Sequence, residues 1–117
     1  MEANLSVKIV RYVDDHQPGW VESQFIDAGG RCHTVRDKVP GFTDACLGPD
    51  SDYPQPGQLR CEILSESLGA DGIRLVRITT ARPCDIESTE GLSEFVVLST
   101  QLSADPGQTG ATNRLLN

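Results

Sequence analysis

Large aromatic side chains are scarce in this sequence, with one tryptophan, two tyrosines and three phenylalanines among 117 residues. The core must be built mainly from Val, Ile and Leu, a composition that suits β structure. Lysine is scarcer still: only Lys8 and Lys38 occur, so eight arginines carry most of the positive charge. No apolar run approaches the ~20 residues that a membrane-spanning helix needs. The N-terminal MEANLSVKIV has neither the basic nor the continuously apolar region of an export signal. These absences predict a cytoplasmic chain with no membrane partner, in which the cysteines stay reduced.

Catalytic and metal-binding signatures are missing as well. Cys32, Cys46, Cys61 and Cys84 are too widely spread to form the close pair, such as Cys-x-x-Cys, that structural zinc sites normally use. No metal is expected, and buried, inert thiols are. A nucleophile needs a base within hydrogen-bond reach, and His16 and His33 are the only histidines. His33 directly follows Cys32, so on a strand the two side chains leave opposite faces. DSDYPQPG, residues 50–57, has the alternate acids of a calcium loop but neither its glycine nor its distal glutamate at the required offset. No phosphate-cradling or dinucleotide-binding glycine pattern occurs, so no cofactor is expected.

What the chain does have is acid and alternation. Acidic residues outnumber basic ones 17 to 10, a formal charge of −7. That balance opposes phosphate backbones, so nucleic acid is not an expected partner unless the bases cluster. Arg31, Arg36, Arg60, Arg74, Arg77 and Arg82 fall in strand-like stretches, where alternation turns them outward beside Glu22, Glu62 and Asp37 as surface ion pairs.

LSVKIVRYV, residues 5–13, alternates with period two, Leu5, Val7 and Ile9 facing one way and Ser6 and Lys8 the other. Val21, Ser23 and Phe25 alternate with Trp20, Glu22 and Gln24; DAGG at 27–30 supplies a turn, and RCHTV continues, giving a hairpin. The third strand should end near KVPGF, because Pro40 cannot donate to a ladder. Residues 42–58, FTDACLGPDSDYPQPGQ, hold three prolines, two glycines and three aspartates and read as a long loop, with one helical turn at 43–46 capped by Thr43. Leu59, Cys61 and Ile63 then share a face opposite Arg60 and Glu62. LGADG turns the chain into IRLVRITTARP, where the three-residue spacing of Arg74 and Arg77 calls for a bulge near Leu75 and Val76 that leaves Thr79 outward. A last strand is expected over Glu94–Thr100, with Phe95 and Val97 on one side and Val96 and Leu98 on the other.

These segments predict an all-β domain over residues 1–102, a small antiparallel β-barrel or sandwich of about six strands, followed by a mobile tail at 103–117. The barrel is favoured because closure removes exposed sheet edges. QPGWVE, DAGGR, KVPGF, YPQPG, RCEIL, IESTEG and FVVL, in that order, resemble a group of short, stand-alone bacterial β-barrel proteins with no assigned activity. The resemblance implies a bacterial, intracellular, single-domain protein, and it transfers no active residue.

The leading functional expectation is a non-enzymatic acidic module that binds a basic protein through the loops at 42–58 and 85–94. One concrete form is an immunity protein or antitoxin that caps a basic effector. Trp20, Asp50, Asp52, Tyr53, Asp85, Glu87 and Glu90 are the candidate contact residues. Two rivals belong to other classes: a metal- or thiol-dependent enzyme assembled from Cys84, Asp85, His33 and the arginines, and a homo-oligomer subunit joined through a strand edge.

Overall fold

The computed structural model describes residues 1–104. It is an all-β fold of seven strands, β1 (Glu2–Asp14), β2 (Trp20–Ile26), β3 (Cys32–Lys38), β4 (Gln55–Leu68), β5 (Arg74–Thr79), β6 (Glu94–Leu98) and β7 (Leu102–Ala104). Two isolated 3-10 turns, at Val39–Gly41 and Ser99–Gln101, complete it. The strands form one antiparallel sheet in the order β3-β2-β1-β4-β5-β6, curled into a half-barrel, with β7 paired to β1. β6 lies on β5 and β7 lies on β1, so the chain between them draws the two sides of the sheet together. The Ala28 amide donates to the Val96 carbonyl and the Thr89 amide to the Thr34 carbonyl, both at 2.8 Å, tying the β2–β3 hairpin to β6 and the loop before it.

Strand periodicity sets the core. Leu5, Val7 and Ile9 of β1, Val21 and Phe25 of β2, Val35 of β3, Leu59 and Cys61 of β4, Val76 and Ile78 of β5, and Phe95 and Val97 of β6 are all buried on the concave side. Ser23 is buried among them and His33 shares their face. Val96 is outward and 42% exposed, as its alternation with Phe95 and Val97 requires.

Several local expectations are corrected. The helical turn falls on Val39–Gly41 and not on residues 43–46, because Pro40 fixes a helical φ at the start of a turn; Thr43 instead accepts the Ala45 amide across a tight bend. Order resumes at Gln55, four residues before Leu59, because β1 offers partners to Gln55, Pro56 and Gly57. Gly57 is required there: a Cβ would lie 2.9 Å from the Ile9 side chain and 3.2 Å from the Phe42 carbonyl. The bulge sits in β4, between Ile63 and Ser65, and not in β5. Moving the extra residue to Leu64 leaves β5 regular, so Thr79 is buried instead of outward. Arg74 is exposed because it lies at the end of β5 near the hairpin tip. β6 stops at Leu98, where a 3-10 turn redirects the chain into β7. Ser103 and Ala104 therefore belong to the sheet; the remainder of the expected tail, residues 105–117, lies outside the described residues.

Candidate functional site

Each described arginine is ion-paired to a glutamate. Arg60 bonds Glu2, Arg74 bonds Glu66, Arg77 bonds Glu94, Arg82 bonds Glu62 and Arg31 bonds Glu90. Arg11 and Arg36 both bond Glu22, at 3.2 and 3.0 Å. The outward reading of the arginine row is thus correct, and a long glutamate side chain reaches its cross-strand neighbour where a short aspartate does not. Among the described residues no aspartate is ion-paired to arginine or lysine.

The aspartates lie mainly in turns. Asp14 ends β1 and Asp15 follows it, and Asp44, Asp50 and Asp52 stand on the loop that joins β3 to β4; all five are exposed. Both connections lie at the same end of the sheet, because Asp14 pairs with Trp20 and Trp20 with Lys38. The loop is built, not loose. Phe42 is buried, Leu47 and Tyr53 pack on the core, and the Phe42 carbonyl accepts the Gln58 amide. Tyr53 donates its hydroxyl to the Gly48 carbonyl at 2.7 Å, and Gly48 donates its amide to Ser51. At the neighbouring turn, Asp14 accepts both the amide and the ring nitrogen of His16. The backbone amide and the ring together hold the Asp14 carboxyl below its usual range, and Asp14 in turn raises His16. Desolvation, then a hydrogen bond with Asp15 and the proximity of Tyr53, push the Tyr12 hydroxyl upward. Gly19 closes this corner at φ +97°, where a Cβ would lie 2.7 Å from the Tyr12 oxygen.

The two loops named from the sequence are not brought together. Asp50, Asp52 and Tyr53 occupy the end near Trp20, whereas the 85–94 loop stands beside the β2–β3 turn at the other end of those strands. There Asp85, at φ +54°, and Glu87 are exposed, and Glu90 is held by Arg31 at 2.6 Å. Trp20 is half-buried on the convex side, with the Lys38 ammonium 6.0 Å from its ring.

One polar pair escaped the sequence reading. His33 is 2% exposed, and its Nε2 lies 2.7 Å from Asp27 Oδ2, while Asp27 Oδ1 accepts the amides of Gly29 and Arg31. The imidazole packs between Phe25 and Phe95, with ring centroids 5.3 and 4.7 Å away. His33 Nδ1 has no partner among the described residues. The only hint in the sequence is DAGGRCH itself, where the turn folds Asp27 back onto His33. Among the described residues no group of three or more His, Cys, Asp or Glu side chains is placed to hold a metal ion. The thiols are also corrected. Only Cys61 is buried, its thiol pushed up to about 11 by desolvation, whereas Cys32, Cys46 and Cys84 are exposed because they lie at a strand end or in loops.

Two carboxylates, the buried Glu22 and the half-buried Asp27, set an expected pH response. Burial alone would raise Glu22, but Arg11 and Arg36 outweigh it and hold the carboxyl below its usual range. Burial likewise opposes the lowering of Asp27, and His33 with the Arg31 and Gly29 amides prevails. A carboxyl depressed in the folded state stabilises it above the unfolded value of about 4, and that contribution is lost as pH falls through the folded value. Urea midpoints are therefore expected to hold from neutrality to about pH 5 and to fall steeply below about pH 4. An equally steep fall in a Glu22→Gln, Asp27→Asn double variant would assign the response to other groups.

No protein-family model matches this chain, and no curated protein or solved structure matches it. No described helix is long and apolar enough to cross a membrane.

Proposed function

We propose that this chain is a non-enzymatic binding module that engages a basic protein through its aspartate-bearing end. One observation carries the reading: the strand glutamates are consumed by arginines, whereas Asp15, Asp44, Asp50 and Asp52 gather at one end with no ion-pair partner among the described residues. Unpaired charge on well-built loops attracts a complementary surface at long range, while the rigid scaffold limits the ordering cost of binding. Tyr53, packed on the core within the β3–β4 loop, is the amphipathic anchor of this end. An immunity protein or antitoxin that blocks a cationic effector is the concrete form that fits this arrangement.

The test separates local charge from net charge. Against a lysine- and arginine-rich peptide at low ionic strength, the Asp44→Asn, Asp50→Asn, Asp52→Asn triple variant is expected to bind roughly tenfold more weakly, about 1.4 kcal/mol summed over three exposed charges. The Glu62→Gln, Glu66→Gln, Glu94→Gln triple variant changes net charge equally and is expected to bind like the parent. Equal losses in both would show that the peptide reads total charge and would remove the loops from the site.

A further inference from the structure

The convex face of β1, β2 and β3 carries the opposite sign from the rest of the molecule. Four of the nine described basic residues lie on it, arranged by strand register into three rows. Lys8 pairs with Gln24, which pairs with Thr34; Arg11 pairs with Glu22, which pairs with Arg36; Trp20 pairs with Lys38. Of the two acids in these rows, Glu22 has a side chain only 11% exposed, and the Arg11 and Arg36 side chains that hold it are 55% and 51% exposed. Glu22 therefore acts as a buried pin that fixes two arginine forks while much of each stays open to solvent. Asp14 closes the third row beside Trp20, but its carboxylate is engaged by His16. Lys8 and Lys38 form no ion pair among the described residues.

We propose that this face docks a segment of single-stranded nucleic acid, with phosphates on Lys8, Arg11, Arg36 and Lys38 and a base stacked against Trp20. An open sheet face with cations around an aromatic platform supplies the two elements that such recognition needs, backbone neutralisation and stacking. A carboxylate-rich peptide would use the cations but leave the indole without a role, so nucleic acid is the better match. The overall charge of −7 opposes binding. Even so, with a Debye length of about 8 Å at physiological salt, the cations in direct contact with a phosphate act on it more strongly than acids that lie farther away. The four cations here are the cluster that the bulk composition conceals.

Trp20 is the single tryptophan of the chain, so its fluorescence reports on this face directly. Titration with a short oligothymidylate is expected to quench it saturably, and log affinity should fall with log salt at a slope of about −3, from roughly 0.7 per phosphate over four contacts. Lys8→Gln with Lys38→Gln should weaken binding roughly tenfold and flatten the slope by about 1.4, which is half of the four-contact value. Arg11→Gln with Arg36→Gln should abolish quenching; because that pair strips a buried carboxylate of its cations, the lysine variant provides a separate test in a fold it leaves intact. Absence of saturable quenching overturns the proposal. So does equal quenching by polyglutamate of matched charge, which would make an acidic segment the occupant. The lysine-rich peptide used for the aspartate end provides an independent readout, so either surface can fail alone.

Discussion

Replacing His33 with alanine is expected to destabilise the fold by roughly 3–4 kcal/mol, in the range for removing a large buried ring. The loss has two sources. The imidazole fills the space between Phe25 and Phe95, which also touch edge to face at 5.1 Å, so its removal leaves a hole in the aromatic end of the core. It also leaves Asp27, whose side chain is 18% exposed, without its 2.7 Å partner while the Gly29 and Arg31 amides still hold it in place. Asp27→Asn keeps the shape of the turn and is expected to cost only about 1–2 kcal/mol, the price of weakening a charge-assisted bond. Urea unfolding followed by circular dichroism measures both. A loss below about 1 kcal/mol for His33→Ala would mean that the surrounding rings collapse freely into the vacated space.

Leu59→Ala is expected to cost about 2–5 kcal/mol, a large share of the 5–15 kcal/mol that holds a domain of this kind together. Leu59 is fully buried and pairs across the sheet with Leu5, also fully buried, where β1 and β4 share their longest register. With a urea m-value of about 1–3 kcal/mol/M, the midpoint should drop by roughly 1–2 M. Leu64→Ala supplies the contrast. It removes a side chain of the same chemistry from the bulge, where it is 38% exposed, and should change stability by less than about 1 kcal/mol. Comparable losses at the two positions would show that β4 is not anchored at its N-terminal half.

Alternation made most of the fold legible. Leu5, Val7 and Ile9 could face one way only if β1 were half-buried, and DAGG between two alternating runs left a hairpin as the simplest connection. Periodicity also turned the arginines outward. It did not reveal where the bulge falls, because an extra residue on either β4 or β5 would account for the slip and only their pairing decides which strand carries it. Nor did it mark Glu22 as buried: its position alternates as a surface residue should, and burial comes from two arginines contributed by different strands. The His33–Asp27 pair was hidden because a turn, not a strand period, brings the two together. At the candidate site, the loop composition identified Asp50, Asp52 and Tyr53 as a group. Their separation from Asp85, Glu87 and Glu90 depends on strand direction and shear, which a one-dimensional pattern does not carry.

The pairing of Ala3 with Ala104 has a practical outcome for anyone who wishes to rearrange the chain. Since the first and last strands run side by side, entry to and exit from the described fold occupy almost one point. A domain of that kind can be spliced into the surface turn of a host protein without prising its strands apart. It can also be recut, with its old ends sewn together and new ones opened in the exposed 69–73 turn at the far tip of the β4–β5 hairpin.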